Sequence, residues 1–348
     1  MAYTTINKST DHFNSTIYTG NGTVNTALTT GTFQPDLTWF KNRGTTESHM
    51  WMDAVRGATK YIQSNSTAAQ GTSADKISAF TSTGVTLGSG AETNENSQPL
   101  VCWSWKANGA GSANTDGTIT STVSANTTAG FSIVTGTENA SGSWTVGHGL
   151  GVAPQVIICK TTGATSDWYM WHESLGPTRL GEKFLKLNST AVSPANDSVV
   201  WNNTVPTSSV FSMGSGVWND SATFVAYCFA EKTGFSKFGS YTGNGNADGT
   251  FIYTGFRPAF FLLKTSSAAG EDWRICDNKR DTENVIDRTL KPNTTAAEAD
   301  ADVMDFCSNG VKLRTTDGGV NYNGRTYIFM AFAEAPLVGS NNVPCTAR

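Results

Sequence analysis

The sequence predicts an all-β protein made of three tandem repeated β-sandwich domains, concanavalin-like or jelly-roll in type. Composition is the first ground. Only 15% of the 348 residues are charged, against a usual share of about 25%, and Gly, Ser, Thr and Asn favour turns and strand faces over long amphipathic helices. Aromatic content is the second. With 18 Phe, 10 Trp and 9 Tyr the chain has ample material for cores and is unlike a disordered, charge-rich one. Internal repetition is the third, at a period of roughly 105 to 120 residues, which matches a small domain and exceeds a solenoid or propeller-blade period.

The repeat is justified element by element. Thr19-Gly20-Asn21-Gly22 and Thr242-Gly243-Asn244-Gly245, with the weaker Thr135-Gly136-Thr137-Glu138, follow apolar or aromatic runs and carry hairpin-turn chemistry. A proline then opens a strand that ends on lysine at the same separation in every copy: Pro35 to Lys41, Pro154 to Lys160 and Pro258 to Lys264. Proline fits the first residue of a strand, where its missing N–H does least harm. These runs are almost continuously apolar, which predicts burial of both faces. Next come Trp51-Met52-Asp53, Trp168 to His172 and Trp273 to Asp277, then an Asn-[Ser/Thr]-Thr-Ala tetrad at Asn65, Asn188 and Asn293. Phe80 to Leu87 matches Phe306 to Leu313, while the middle copy degrades to Ser209 to Gly214. Bulky closing strands follow at Leu100 to Trp105, Phe224 to Phe229 and Tyr327 to Phe332.

The expected organisation is a leader over 1–14, a first sandwich over 15–107, a linker over 108–115, sandwiches over 116–232 and 233–336, and a tail over 337–348. Thr118 to Val123 alternates and is expected to add a strand to the second domain. Glu231 to Phe235 contains no spacer, so the second and third domains should pack rigidly.

The net charge is −4 and no Lys/Arg cluster stands out, so nucleic acid is not an expected partner. No run of 18 apolar residues could insert into a membrane, and the N-terminus lacks the basic and apolar regions of a signal peptide. Six cysteines lie far apart, without C-x-x-C spacing or a nearby His. They are expected as small buried hydrophobes in a reducing cytoplasm rather than zinc ligands. His12, His49, His148 and His172 show no ligand spacing, and no nucleophile elbow, P-loop or dinucleotide fingerprint occurs. The expectation is a non-enzyme with no cofactor and no metal.

Three further expectations concern particular side chains. Trp39, Trp103 and Trp105 recur at strand positions and are expected in cores, whereas Trp201, Trp218 and Tyr322 lie in loop-like sequence and are the candidates for partner or glycan contact. Lys41 with Asp53, and Lys264 with Asp277, recur at a similar distance and are expected as charge pairs within their domains. In the middle copy Lys160 is expected to meet His172 or Glu173. Loop carboxylates including Asp167, Glu173, Glu271, Asp272 and the run Glu298 to Asp305 are the candidates for a glycan-cleaving pair.

Asp116 to Val123, His148 to Pro154, Phe238 to Gly245, Asp277 to Asp281 and Tyr327 to Glu334 resemble a family of repeat proteins encoded by marine bacteriophages, cyanophages among them. The likeness covers nearly the whole chain in strings of about eight residues. It implies a virion structural protein of the tail-fibre-like or lectin-like kind, located in the virion and made in the host cytoplasm. Its implied partners are other virion proteins, further copies of itself, as a trimer by analogy with fibres, and a host surface glycan. The repeats start directly after Ala2 to Asn14, so no separate anchoring domain is expected, and that keeps a capsid decoration role open beside host attachment. A polysaccharide depolymerase and a pure glycan-binding module are the rival readings.

Overall fold

Each of the three Pro-to-Lys runs forms the third strand of a four-strand order that occurs three times along the chain. The computed structural model describes residues 4–175, 183–192, 198–218, 221–336 and 338. The first unit runs β1 (Phe13–Thr19), β2 (Thr26–Thr29), β3 (Leu37–Asn42), β4 (Met50–Asp53), β5 (Lys60–Gln63), β6 (Gly71–Thr72), β7 (Ile77–Thr81), β8 (Gly84–Leu87) and β9 (Pro99–Trp105). The second runs β10 (Ser112–Asn114), β11 (Ser121–Asn126), β12 (Phe131–Thr137), β13 (Trp144–Gly147), β14 (Val156–Thr161), β15 (Trp168–His172), β16 (Leu185–Lys186), β17 (Val210–Met213) and β18 (Thr223–Phe229). The third runs β19 (Ser236–Thr242), β20 (Phe251–Tyr253), β21 (Phe256–Thr265), β22 (Arg274–Asp277), β23 (Ile286–Thr289), β24 (Ala299–Cys307), β25 (Gly310–Leu313) and β26 (Thr326–Pro336).

The inner sheets share one order: β1-β9-β3-β4, β12-β18-β14-β15 and β19-β26-β21-β22. Registers agree as well. Leu37 faces Trp105 and Asp53, Val156 faces Phe229 and His172, and Phe260 faces Phe332 and Asp277. Smaller outer sheets, β2-β8-β7, β13-β17 and β20-β25-β24-β23, complete three sandwiches. The fold is all-β, as the composition predicts. Segment 108–115, read in the sequence as a linker, contains β10, which pairs with β11. Pro258 sits inside β21 at a register irregularity rather than opening the strand, a place where a missing ladder donor is tolerated.

The continuous apolar runs have a specific cause. Along β3, Leu37 and Trp39 point into a central core, while Phe40 points into the first sandwich's own interior. Strands β14 and β21 repeat this, with Val156, Ile158, Phe260 and Leu262 central and Ile157, Cys159, Phe261 and Leu263 peripheral. A strand packed on two faces needs apolar residues at every position. The units are therefore not beads on a string. Each inner sheet covers its outer sheet on one face and the other two units on the opposite face. At equivalent register positions Trp105, Phe229 and Phe332 meet one another at centroid separations of 6.4, 5.9 and 5.6 Å. This triangle marks a pseudo-threefold axis, and its edges fall in the range where aromatic pairs add about 0.5–1.5 kcal/mol beyond area burial.

The Gly-Asn-Gly segments correct a second expectation. They are not hairpin turns, because β1 pairs with β9 and β2 with β8, so the chain arches from inner to outer sheet. The arches are held by two buried asparagines far away in sequence. Asn94 accepts from the Asn21 N–H at 3.0 Å and donates to the Gly88 and Thr23 carbonyls. Asn321 accepts from the Asn244 N–H at 2.9 Å and donates to the Thr315 and Asn246 carbonyls. Gly22 and Gly245, at φ near +65°, pass through the left-handed region there. No helix among the described residues is long and apolar enough to cross a membrane.

Candidate functional site

The positions singled out in the sequence fall mostly at the joints between units. The tetrads are clamps. Asn65, Asn188 and Asn293 each accept, through Oδ1, the backbone N–H that leads into the second hairpin strand, at His49, Trp168 and Trp273, at 2.9, 2.9 and 3.0 Å. The carbonyls two residues on then reach the neighbouring unit. Thr67 O accepts from Lys160 Nζ at 3.1 Å and from the Ser166 N–H, Thr295 O accepts from Lys41 Nζ at 3.1 Å, and Thr190 O accepts from the Gly270 N–H at 3.1 Å. The second unit thus holds the first, the first holds the third, and the third holds the second. The ring is closed.

Lys41 and Asp53 do not pair, nor do Lys264 and Asp277. Lys41 Nζ donates to the carbonyls of Thr45, Glu47 and Thr295, Lys160 to those of Thr67 and Ser166, and Lys264 to that of Thr265. The register explains the miss. Leu37 and Val156 lie opposite Asp53 and His172, so each lysine sits about 13 Å, four strand residues, away along its own hairpin. Lys160 accordingly meets neither His172 nor Glu173. Burial pulls each of these three amines down to about 8. They remain ammonium ions at neutral pH, hydrogen-bonded by carbonyl oxygens and attracted at longer range by Glu47, by Asp167, and by Glu271 and Asp272 respectively.

The carboxylates belong to the opposite joints. Asp53 Oδ2 accepts from Arg56 Nε at 2.5 Å and from the Tyr227 hydroxyl of the second unit at 2.8 Å. Asp277 Oδ2 accepts from Arg280 Nε at 2.5 Å and from Trp103 Nε1 of the first unit at 3.1 Å. Arg280 also lies over the Trp103 ring at 5.7 Å and reaches Glu298, which binds Arg43 of the first unit. In the middle copy His172 takes the aspartate's place. Its Nε2 donates to the Phe329 carbonyl of the third unit at 3.1 Å, and its Nδ1 accepts the Ser174 N–H at 3.1 Å. Burial holds this imidazole down to about 4, so it is neutral and its tautomer is set by those two bonds. The signal for these joints was present as Asp53-Ala54-Val55-Arg56 and Asp277-Asn278-Lys279-Arg280, a shared D-x-x-R spacing whose middle counterpart ends in Leu175.

Trp201 and Trp218 are not surface residues. Both are buried in the second sandwich, where Trp218 Nε1 donates to the Val200 carbonyl at 2.8 Å and Trp144 Nε1 donates to the Trp218 carbonyl. Among the described residues the outer sheet there is the pair β13-β17, and the rings of Trp201, at the end of a short helix over Ser198–Trp201, and Trp218 belong to the core beneath it. Tyr322 is exposed, with the Arg325 guanidinium 4.3 Å from its ring. Arg325 also pairs with Glu271 at 2.7 Å, and Lys291 pairs with Asp272 at 2.7 Å. Asp167 pairs with Lys186. His148 is buried between the Thr207 carbonyl and the Leu150 N–H. Among the described residues no three His, Cys, Asp or Glu side chains gather as a metal would require.

Two grooves run along the joints. One, of about 480 Å³, lies between the first and second units and is lined by Arg56, Gln70 and threonines including Thr122, Thr135 and Thr223. The other, of about 500 Å³, lies between the second and third and is lined by Gln155, Glu173, Ser240, Phe251 and Tyr253 among others. No curated protein and no solved structure matches the chain. A family described only as a domain of unknown function, DUF7483, matches residues 8–336, which takes in all three units and every joint between them. The chain belongs to that family.

Proposed function

We propose that this chain is a non-enzymatic structural protein of a bacteriophage virion, a tail-fibre or similar appendage subunit that takes part in host attachment. It works in the virion with other virion proteins, and we propose that it assembles with itself as a trimer. The observation that carries the reading is where the repeated polar residues go. The tetrad carbonyls, Lys41, Lys160 and the D-x-x-R aspartates bond across the boundaries and lock three sandwiches into one closed ring, with the tetrad asparagines fixing the tetrads in place. A scaffold of that kind suits transmission of force and presentation of loops. Turnover normally gathers an acid/base pair, an orienting group and a pocket, and the loop carboxylates Glu271, Asp272 and Asp167 are instead held by Arg325, Lys291 and Lys186. The phage resemblance of the repeat strings supplies the virion context.

Three measurements test this. Mass spectrometry and antibody labelling of purified particles should find the chain, on a tail appendage if it attaches and over the shell if it decorates the capsid. Native mass measurement at micromolar concentration should return a trimer, and a dimer would contradict that state. Purified protein mixed with host surface polysaccharide should release no reducing ends. Release that Glu271→Gln and Asp272→Asn together abolish would establish the depolymerase instead.

A further inference from the structure

We propose that the groove between the second and third units binds a short saccharide, with the rings of Tyr253 and Phe251 as stacking platforms and Glu173, Gln155 and Ser240 as hydroxyl partners. The proposal deepens the attachment reading and rests on it for its biological sense. Four observations lead to it. The cavity of about 500 Å³ is of ligand size. Phe251 and Tyr253 are 45% and 59% exposed, on alternate positions of the edge strand β20, so both rings stand on one face about 7 Å apart. Among the described residues Tyr322 is also an exposed aromatic, but it already has Arg325 against its ring, which leaves the β20 pair as the larger platform.

The groove floor is also fixed in advance. Gln155 Oε1 accepts the Glu231 N–H at 2.8 Å, and Glu231 in turn holds Lys237 at 2.9 Å and the Phe238 N–H at 2.7 Å. Glu173 and Ser240 are exposed at its edge. Such a lining demands a ligand rich in hydroxyls that also carries an apolar C–H face, and a pyranose ring is that chemistry. An apolar peptide would desolvate the exposed Glu173 carboxylate and Ser240 hydroxyl without replacing their water partners, at a cost for each. The groove at the first joint is a built-in contrast, because threonines, Arg56 and Gln70 line it and no exposed aromatic does.

The test is titration of the intact chain with chitotriose, maltotriose and cellotriose, followed by saturation-transfer NMR and calorimetry. At least one trisaccharide should bind. Tyr253→Ala and Phe251→Ala should each weaken it about tenfold, Tyr253→Phe should keep most of the affinity, Glu173→Gln should weaken it less, and Thr135→Ala in the other groove should leave it unchanged. Melting curves check that the variants fold, which the exposure of both rings favours. The proposal is overturned if none of the three sugars binds, if both alanine variants bind like the wild type, or if Thr135→Ala weakens binding equally. Particle analysis tests the attachment reading separately. A chain present in particles yet inert to all three sugars loses the groove alone, and a sugar-binding chain absent from particles loses the attachment reading alone.

Discussion

The joint between the second and third units differs in kind from the other two. At the first-to-second and third-to-first joints a buried aspartate, bonded to an arginine three residues on, reaches a phenol or an indole across the boundary. At the second-to-third joint a neutral histidine donates one hydrogen bond to a backbone carbonyl. The same place in the same fold is thus filled by an ion pair twice and by a neutral group once. A buried ion pair is costly to assemble and more costly to break, whereas a neutral hydrogen bond is modest in both directions. The charged joints should therefore tolerate substitution worst, and at the neutral joint the histidine itself should respond to acid.

Removing the arginine at a charged joint should have the largest effect. Arg280→Met removes the buried guanidinium that bridges two carboxylates, leaving Asp277 with the Trp103 indole and two backbone N–H groups and Glu298 with Arg43. A loss of about 3–5 kcal/mol is expected from denaturant melts. Arg56→Met should cost less, because Arg56 pairs with the one carboxylate Asp53, whereas Arg280 also holds Glu298. Equal losses at the two positions would show that Glu298 adds nothing to the third-to-first joint.

The acid response comes next in size, and at the neutral joint His172 carries it, beside a contribution from buried His49 in the first unit. An unfolded histidine takes a proton near its ordinary value of about 6.5, whereas His172 resists until about 4. Between those values the unfolded state binds more protons, so stability falls as pH falls through the window. The full window is worth up to about 3 kcal/mol. His172→Asn should cost something at pH 7 and should shed that part of the acid loss. Wild type and variant losing stability in parallel from pH 7 to pH 4 would remove His172 from the account.

These joints also show what was legible in the sequence and what was not. The all-β fold and the shared inner strand were legible because their causes are local: a proline, an apolar run and a terminal lysine at one fixed separation. Burial of both strand faces could be read from the same runs. What covers the second face could not, since Trp105 meets Phe229 and Phe332 across more than a hundred residues of chain. The lysine-to-aspartate separation looked like a pair because distance along a hairpin does not say which end of it each residue occupies. Trp201 and Trp218 looked exposed because their neighbours in sequence are turn formers, while the sandwich core that they fill is visible only in three dimensions. Of the groove proposed to bind sugar, only the aromatic alternation Phe251-Ile252-Tyr253 was on the page in one dimension.

The smallest expected difference concerns the tetrads, and it separates the copies by what each asparagine's amide nitrogen holds. Alanine at Asn65, Asn188 or Asn293 removes the acceptor for the N–H of His49, Trp168 or Trp273. A buried donor left without a partner costs about 1–3 kcal/mol, so all three variants should be destabilised. The second bond sorts them. Asn188 and Asn293 also donate to carboxylates, Asp167 at 2.8 Å and Asp272 at 2.7 Å, whereas Asn65 donates to the Ser48 hydroxyl at 3.1 Å. Bonds to a charged acceptor are roughly twice as strong as neutral ones, although these two carboxylates are partly solvated and keep Lys186 and Lys291 as partners. The excess at Asn188 and Asn293 over Asn65 should therefore be below about 1 kcal/mol and should shrink in high salt, which screens the carboxylate and leaves the serine bond untouched. If Asn65→Ala proves the most damaging of the three, the amide-to-carboxylate bond is not what distinguishes the copies. The Thr295, Thr67 and Thr190 carbonyls that each tetrad offers to its neighbour would then be the place to look, since Thr190 alone receives a backbone N–H and no lysine.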